Sequence, residues 1–113
     1  MNYAIIGSRT FQNYEMLTIV CDRLVRSTDT IVSGGASGAD ILGKQYAIDR
    51  KLNYVEYPAD WNKYGKRAGF IRNQQIIDHS DFVIAFWDGV SNGTKNSIDL
   101  AKLDRIPTLI IYF

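Results

Sequence analysis

The 113-residue chain has one cysteine, one histidine and no apolar run long enough to span a membrane. The lone thiol, Cys21, excludes an internal disulfide and any multi-cysteine metal centre. His79 is the only imidazole, so a histidine-based zinc site is not expected either. Neither sign of charge is in excess: 13 Lys and Arg face 12 Asp and Glu, a formal net charge of +1. Domains that coat nucleic acid are usually clearly basic, so this balance predicts no nucleic-acid partner. No stretch approaches the roughly 20 apolar residues that cross a bilayer, which predicts no membrane partner. Met1-Asn2-Tyr3 carries no basic region before its apolar run, so no signal peptide is expected and the chain reads as cytoplasmic. Neither a metal nor a cofactor is expected.

A content of 46% hydrophobic and 22% charged residues is that of an ordinary globular protein. The length suits one domain over residues 1–113, with no linker, repeat or low-complexity segment. Apolar runs at 3–6, 30–33, 53–57, 81–87 and 108–113 read as strands. Between them, residues 13–26, 38–52, 65–80 and a segment running through Ile98, Ala101 and Leu103 read as helices. Cys21 falls on the apolar face of the first helix, as a small buried hydrophobe. The run at 81–87 is continuously apolar and reads as central, whereas 53–57 is less apolar and reads as an edge. Regular β-α alternation predicts an α/β fold: a three-layer, Rossmann-like open parallel sheet of about five strands with helices on both faces. Ligands of such sheets bind beyond the carboxyl ends of the strands, and every glycine-rich turn in this chain is a βα turn at that edge.

The richest of these turns is Ser33-Gly34-Gly35-Ala36-Ser37-Gly38, between the second strand and a helix that opens near Gly38. A tight glycine turn ahead of a helix directs free N–H groups and a positive helix end at one small volume, which suits phosphate. Ser33, Gly34, Gly35, Ser37 and Gly38 form the candidate cradle, and Asp40 either caps the helix or touches the ligand. The spacing is neither the GxGxxG dinucleotide fingerprint nor a P-loop.

The other strand ends carry related chemistry. Gly7, Ser8 and Arg9 follow the first strand, with Arg9 either a phosphate-binding fork or a solvated charge. Asp60 and Trp61 follow the third and can hydrogen-bond and stack on a ribose or base; Trp61 alone could equally cover an edge. Trp87 and Asp88 repeat that pairing after the fourth strand, and Ser91, Gly93 and Thr94 make a second glycine turn at a helix start. Arg72 and Asn73 lie in the helix after Gly65-Lys66-Arg67-Ala68-Gly69, where Gly69 leaves room for Arg72 to reach over a ligand.

Together, Gly7-Ser8-Arg9, Ser33-Gly34-Gly35-Ala36-Ser37-Gly38-Ala39-Asp40, Ala59-Asp60-Trp61, Gly65-Lys66 to Arg72-Asn73, Ala85-Phe86-Trp87-Asp88-Gly89 and Ser91-Asn92-Gly93-Thr94 resemble a known pattern. It is that of the YspA/YAcAr-like branch of the SLOG superfamily of Rossmann-type proteins, and the resemblance covers nearly the whole chain. The superfamily includes LOG-type nucleoside-monophosphate phosphoribohydrolases and DprA-type DNA-processing proteins. The resemblance implies binding of a nucleotide-derived small molecule such as a nucleoside phosphate, ADP-ribose or a signalling nucleotide. The chain would serve as a sensor, a sequestering protein or a weak hydrolase. Two alternatives are a phosphoribohydrolase and a DprA-like binder of single-stranded DNA. LOG-type enzymes carry a catalytic Glu two residues beyond the Gly-Thr of the second turn, where this chain has Asn96. Cleaving an N-glycosidic bond needs a carboxylate, so an enzyme would have to use Asp88 or Asp60. The apolar end Ile110-Ile111-Tyr112-Phe113, with sheet edges to cover, makes a homo-oligomer plausible.

Overall fold

Period-two alternation decides how the first strand is covered. In β1 (Asn2–Gly7), Tyr3 and Ile5 join one apolar cluster while Ala4 and Ile6 join a second. In the computed structural model, which describes all 113 residues, these clusters are the two faces of a single sheet. The remaining elements are α1 (Tyr14–Leu24), β2 (Thr30–Ser33), α2 (Ala39–Asp49), β3 (Asn53–Glu56) and α3 (Trp61–Tyr64). They continue with a 3₁₀ turn (Gly65–Arg67), α4 (Ala68–Asp78), β4 (Phe82–Trp87), α5 (Asn92–Leu103) and β5 (Thr108–Tyr112).

All strand pairings are parallel, in the order β3-β2-β1-β4-β5. Helices α1 and α2 cover one face, where Leu17, Cys21, Tyr46 and Ala47 meet Ile5, Ile31, Ile84 and Phe86. Helices α4 and α5 cover the other, with Ile76, Ile77, Ile98 and Ala101 against Ala4, Val32, Val83 and Ala85. This is the Rossmann-like three-layer arrangement that the alternation predicts. Strand β3 is an edge, mostly exposed, and β4 lies inside the sheet. None of the helices is long and apolar enough to cross a membrane.

One element departs from the sequence expectation. The helix expected over 65–80 opens as the 3₁₀ turn and continues as α4, and a short helix that the sequence did not announce, α3, precedes it. Asp60 starts α3 by accepting a bond from the Lys63 N–H at 3.1 Å, and Gly65 ends it at φ +58°, a left-handed conformation that glycine adopts without strain. Every residue from Trp61 to Arg67 is exposed.

Helix α2 approaches β1 closely because Gly43 has no side chain: a Cβ there would lie 2.9 Å from both Cβ and Cγ2 of fully buried Ile5. Overpacking of this kind costs about 1–3 kcal/mol, against the roughly 1 kcal/mol that alanine gains over glycine within a helix. Gly43→Ala is therefore expected to lower stability by up to about 2 kcal/mol in urea unfolding, overpacking outweighing propensity. A more stable variant would show that helix and sheet can separate freely.

Candidate functional site

Strand order reverses beside β1: β2 and β3 lie to one side of it, β4 and β5 to the other. Such a reversal leaves a crevice beyond the strand ends. A cavity of about 340 Å³ occupies it, walled by the Gly7–Thr10 turn, the start of α5 and the inner side of α4.

The wall between β1 and β4 is a polar knot. Ser8 is buried, and its Oγ accepts bonds from the Asp88 N–H at 3.1 Å and the Ser91 hydroxyl at 2.9 Å. Asp88 folds its carboxylate back onto its own turn, where Oδ1 accepts the N–H groups of Val90 at 2.9 Å and Ser91 at 2.8 Å. Those bonds from the Ser91 and Val90 amides hold its pKa down, at about 2. Because the Ser91 hydroxyl is engaged with Ser8 and Asp88, no side chain caps the first turn of α5. Gly93 and Thr94, in that turn, line the cavity.

The Ser33–Gly38 turn is held from within. Asp40, on the first turn of α2 and 5% exposed, accepts the N–H groups of Gly34 at 2.9 Å and Ala36 at 3.4 Å through Oδ2. Two amides expected to await a phosphate therefore already have a carboxylate. Burial pushes the Asp40 pKa up to about 6, with the Arg72 charge and the two amides pulling the other way. Arg72 donates from Nη1 to the Gly34 carbonyl at 2.9 Å and from Nε to Asn73 Oδ1 at 3.1 Å. Asn73 in turn donates to Asn96 Oδ1 at 3.1 Å and the Gly93 carbonyl at 3.3 Å, tying α4 to the start of α5. A Cβ on Gly34 would overlap the Arg72 side chain, and one on Gly38 (φ +81°) would run into the Ser8 carbonyl, so both glycines permit close approach.

The mouth is aromatic and cationic. Trp61 and Phe70 are 53% and 54% exposed, and Arg9 and Lys66 stand exposed beside them. Of the ligand residues expected from sequence, Gly7, Ser8, Arg9, Trp61, Arg72, Asn73, Ser91, Gly93 and Thr94 line this one cavity. Ser33, Gly34, Gly35, Ser37 and Gly38 do not; Ala36 and Asp40 represent that segment in the lining. Trp87 turns away, its ring 5.7 Å from that of Tyr112 and its Nε1 donating to the Ser91 carbonyl at 3.1 Å. Asp60 caps α3 and Asp88 its own turn, both outside the cavity, and Asp40 is the only carboxylate in its lining. Thr10, Lys66, Phe70 and Ser97 also line it, beyond the expected set. For Lys66 and Phe70 the signal was the glycine- and lysine-rich stretch around Gly69, read there only for Arg72 and Asn73. No cluster of three His, Cys, Asp or Glu side chains is arranged to hold a metal.

Fold and site together define a Rossmann-like protein with an anion-friendly cavity at the switch point of its sheet. The sequence pattern of the YspA, cpYpsA-related SLOG family, YAcAr, matches residues 1–64, and the chain belongs to that family. Among curated proteins it is similar to the Gene 61 protein of Mycobacterium phage D29, at 32% identity, covering 93% of this chain and 91% of the relative. Among solved structures it is similar to DNA processing protein A from Helicobacter pylori, reported for its single-stranded DNA binding mode. The TM-score is 0.72 at 24% identity, over 97% of this chain and 64% of the other, so this chain spans less than two thirds of that protein.

That neighbour overturns the expectation of no nucleic-acid partner: a protein of this fold is described as binding single-stranded DNA. The inference from net charge fails for a physical reason. Summed charge ignores position, and here Arg9, Lys66 and Arg72 collect at one cavity with Asp40 as the only facing carboxylate.

The raised pKa of Asp40 has a consequence of definite sign. An unfolded aspartate titrates near 3.9, so between about pH 4 and pH 6 the folded chain retains a proton that the unfolded chain has lost. Stability contributed by this group is therefore lost as pH rises through that window. In Asp40→Asn the corresponding fall disappears, as the difference between the pH–stability curves of the two proteins would reveal. Parallel curves would mean that Asp40 is well solvated.

Proposed function

We propose that this chain binds single-stranded DNA, seating one nucleotide's phosphate in the 340 Å³ cavity and its base against Trp61 and Phe70. The observation that carries this reading is the pairing of two exposed aromatic rings with Arg9, Lys66 and Arg72 around one crevice. Base stacking on aromatic side chains and cations along the backbone are how single strands are held without sequence preference. The description of DNA processing protein A, which shares the fold, supports the same reading. The phosphate would meet the uncapped first turn of α5 and the Arg72 Nη2, the guanidinium nitrogen with no bond to the protein.

A second reading, a free nucleotide-derived small molecule, is favoured by the cavity's volume, which falls within the range of small-ligand sites. Both readings use the same residues and separate on ligand length. A thymidine oligonucleotide followed by fluorescence anisotropy tests the first, and calorimetry with nucleoside monophosphates tests the second.

Neutralising one phosphate of a single strand contributes about −0.7 to the slope of log affinity against log salt, so three cations predict a slope of about −2. Lys66→Ala is expected to bring that slope nearer zero by about 0.7. Trp61→Ala is expected to weaken oligonucleotide binding by about tenfold, since a stacked base is worth roughly 1–3 kcal/mol, with folding unaffected because the ring is exposed. Flat salt dependence, together with unchanged affinity in Trp61→Ala, would remove the nucleic acid from this cavity.

A further inference from the structure

Helix α4 is a ridge with a hollow on each flank. Gly69, Asn73 and Ile76 face the cavity described above, whereas Ala68, Ile71 and Gln75 face a second hollow of about 480 Å³. Arg72 stands on the crest and lines both. The short segment ahead of α4 straddles the same divide. It sends Trp61 into the first cavity, where a side chain on Gly69 would meet its ring edge, and Lys63 and Tyr64 into the second.

The second hollow repeats the chemistry of the first. Tyr64 is 38% exposed, with the Lys63 ammonium 5.1 Å from its ring centre. Tyr57 forms the floor, its ring stacked on His79 at 4.9 Å and 24° and thereby fixed in orientation. The carboxylate nearby, Asp60, accepts the Lys63 N–H and serves as the cap of α3. The segment of α3 and the 3₁₀ turn contributes side chains to both hollows.

We infer that the hollow lined by Tyr57, Lys63 and Tyr64 is a second nucleotide subsite, so that the smallest ligand filling the site is a dinucleotide whose two units lie on either side of Arg72. Arg72 is placed to meet the linking phosphodiester, because its side chain alone is shared by the two hollows. Tyr64 offers a ring face to the second base, and Lys63 a cation beside that ring to its backbone. This inference rests on the nucleotide-binding reading of the first cavity and adds the direction in which the strand leaves it.

The test compares thymidine 5′-monophosphate with the dinucleotide d(TpT) and with thymidine oligonucleotides, on the intact chain. The dinucleotide is expected to bind about tenfold more tightly than the mononucleotide, as one further stacked base implies. Tyr64→Ala and, separately, Lys63→Ala should erase most of that advantage while leaving mononucleotide affinity unchanged. Both side chains are exposed, so neither change threatens folding. Equal affinity for mono- and dinucleotide, or an equal loss for both in Tyr64→Ala, overturns the second subsite and leaves the first cavity standing. Binding of none of these probes overturns the nucleotide reading itself, and the subsite with it.

Discussion

Asp40 is a carboxylate placed inside the protein, and the shape of the site follows from how its charge is met. An isolated buried carboxylate is costly; one that accepts backbone N–H bonds beside a guanidinium is tolerable. Here the partners are the Gly34 and Ala36 amides and the charge of Arg72. Each of those partners is drawn into place by the arrangement. The glycine turn closes over the carboxylate, and Arg72 is pulled across from α4 to reach the Gly34 carbonyl. Asn73, bonded to Arg72, then fastens α4 to the beginning of α5. The cavity is the space left on the far side of this chain of bonds, which is why its walls come from β1, α4 and α5 more than from the glycine turn.

The consequence for chemistry is a division of labour between two glycine-rich turns that look alike in sequence. In the first, an internal anion already occupies two of the amides, those of Gly34 and Ala36, and that part of the turn works as a support. In the second, Ser91 directs its hydroxyl sideways to Ser8 and Asp88, which leaves the first turn of α5 without a cap. A helix start without a side-chain cap keeps its N–H groups and partial positive charge available to a ligand. Asp88 makes this possible by anchoring the turn, a structural use of the residue that sequence put forward as an acid or base.

Much of the fold was legible because it depends on local regularities. Tyr3 to Ile6 alternate between two buried faces, and each strand-like run is followed by a helix-like one, so a parallel sheet was nearly forced. The short helix α3 was less visible, because its four residues Trp61–Tyr64 are too few to show an apolar period, whereas Ala68, Ile71, Ile76 and Ile77 mark α4 clearly. The site was legible as a set of strand ends, but not as a set of contacts. Whether an amide is free depends on a side chain several residues away, as with Asp40 and Gly34, and no spacing rule reports it. Trp61 and Trp87 look alike in sequence, each next to one aspartate after an apolar run. One is exposed at the cavity mouth, where it opens α3, while the other ends β4 and packs by Tyr112, its partner on β5.

Net charge was the least informative quantity because it averages over a surface on which charges are screened from one another beyond about 10 Å. At that range a ligand responds to its near neighbours alone. Around the cavity three cations face one buried carboxylate whose own acidity is weakened by burial, so the local field favours an anion even though the whole chain is close to neutral. The exposed rings of Trp61 and Phe70 add what charge cannot, a surface that prefers flat, polarisable groups to a simple phosphate ion. The two preferences meet only in a molecule that joins a phosphate to a base, and their separation across α3 and α4 sets which way such a molecule must lie.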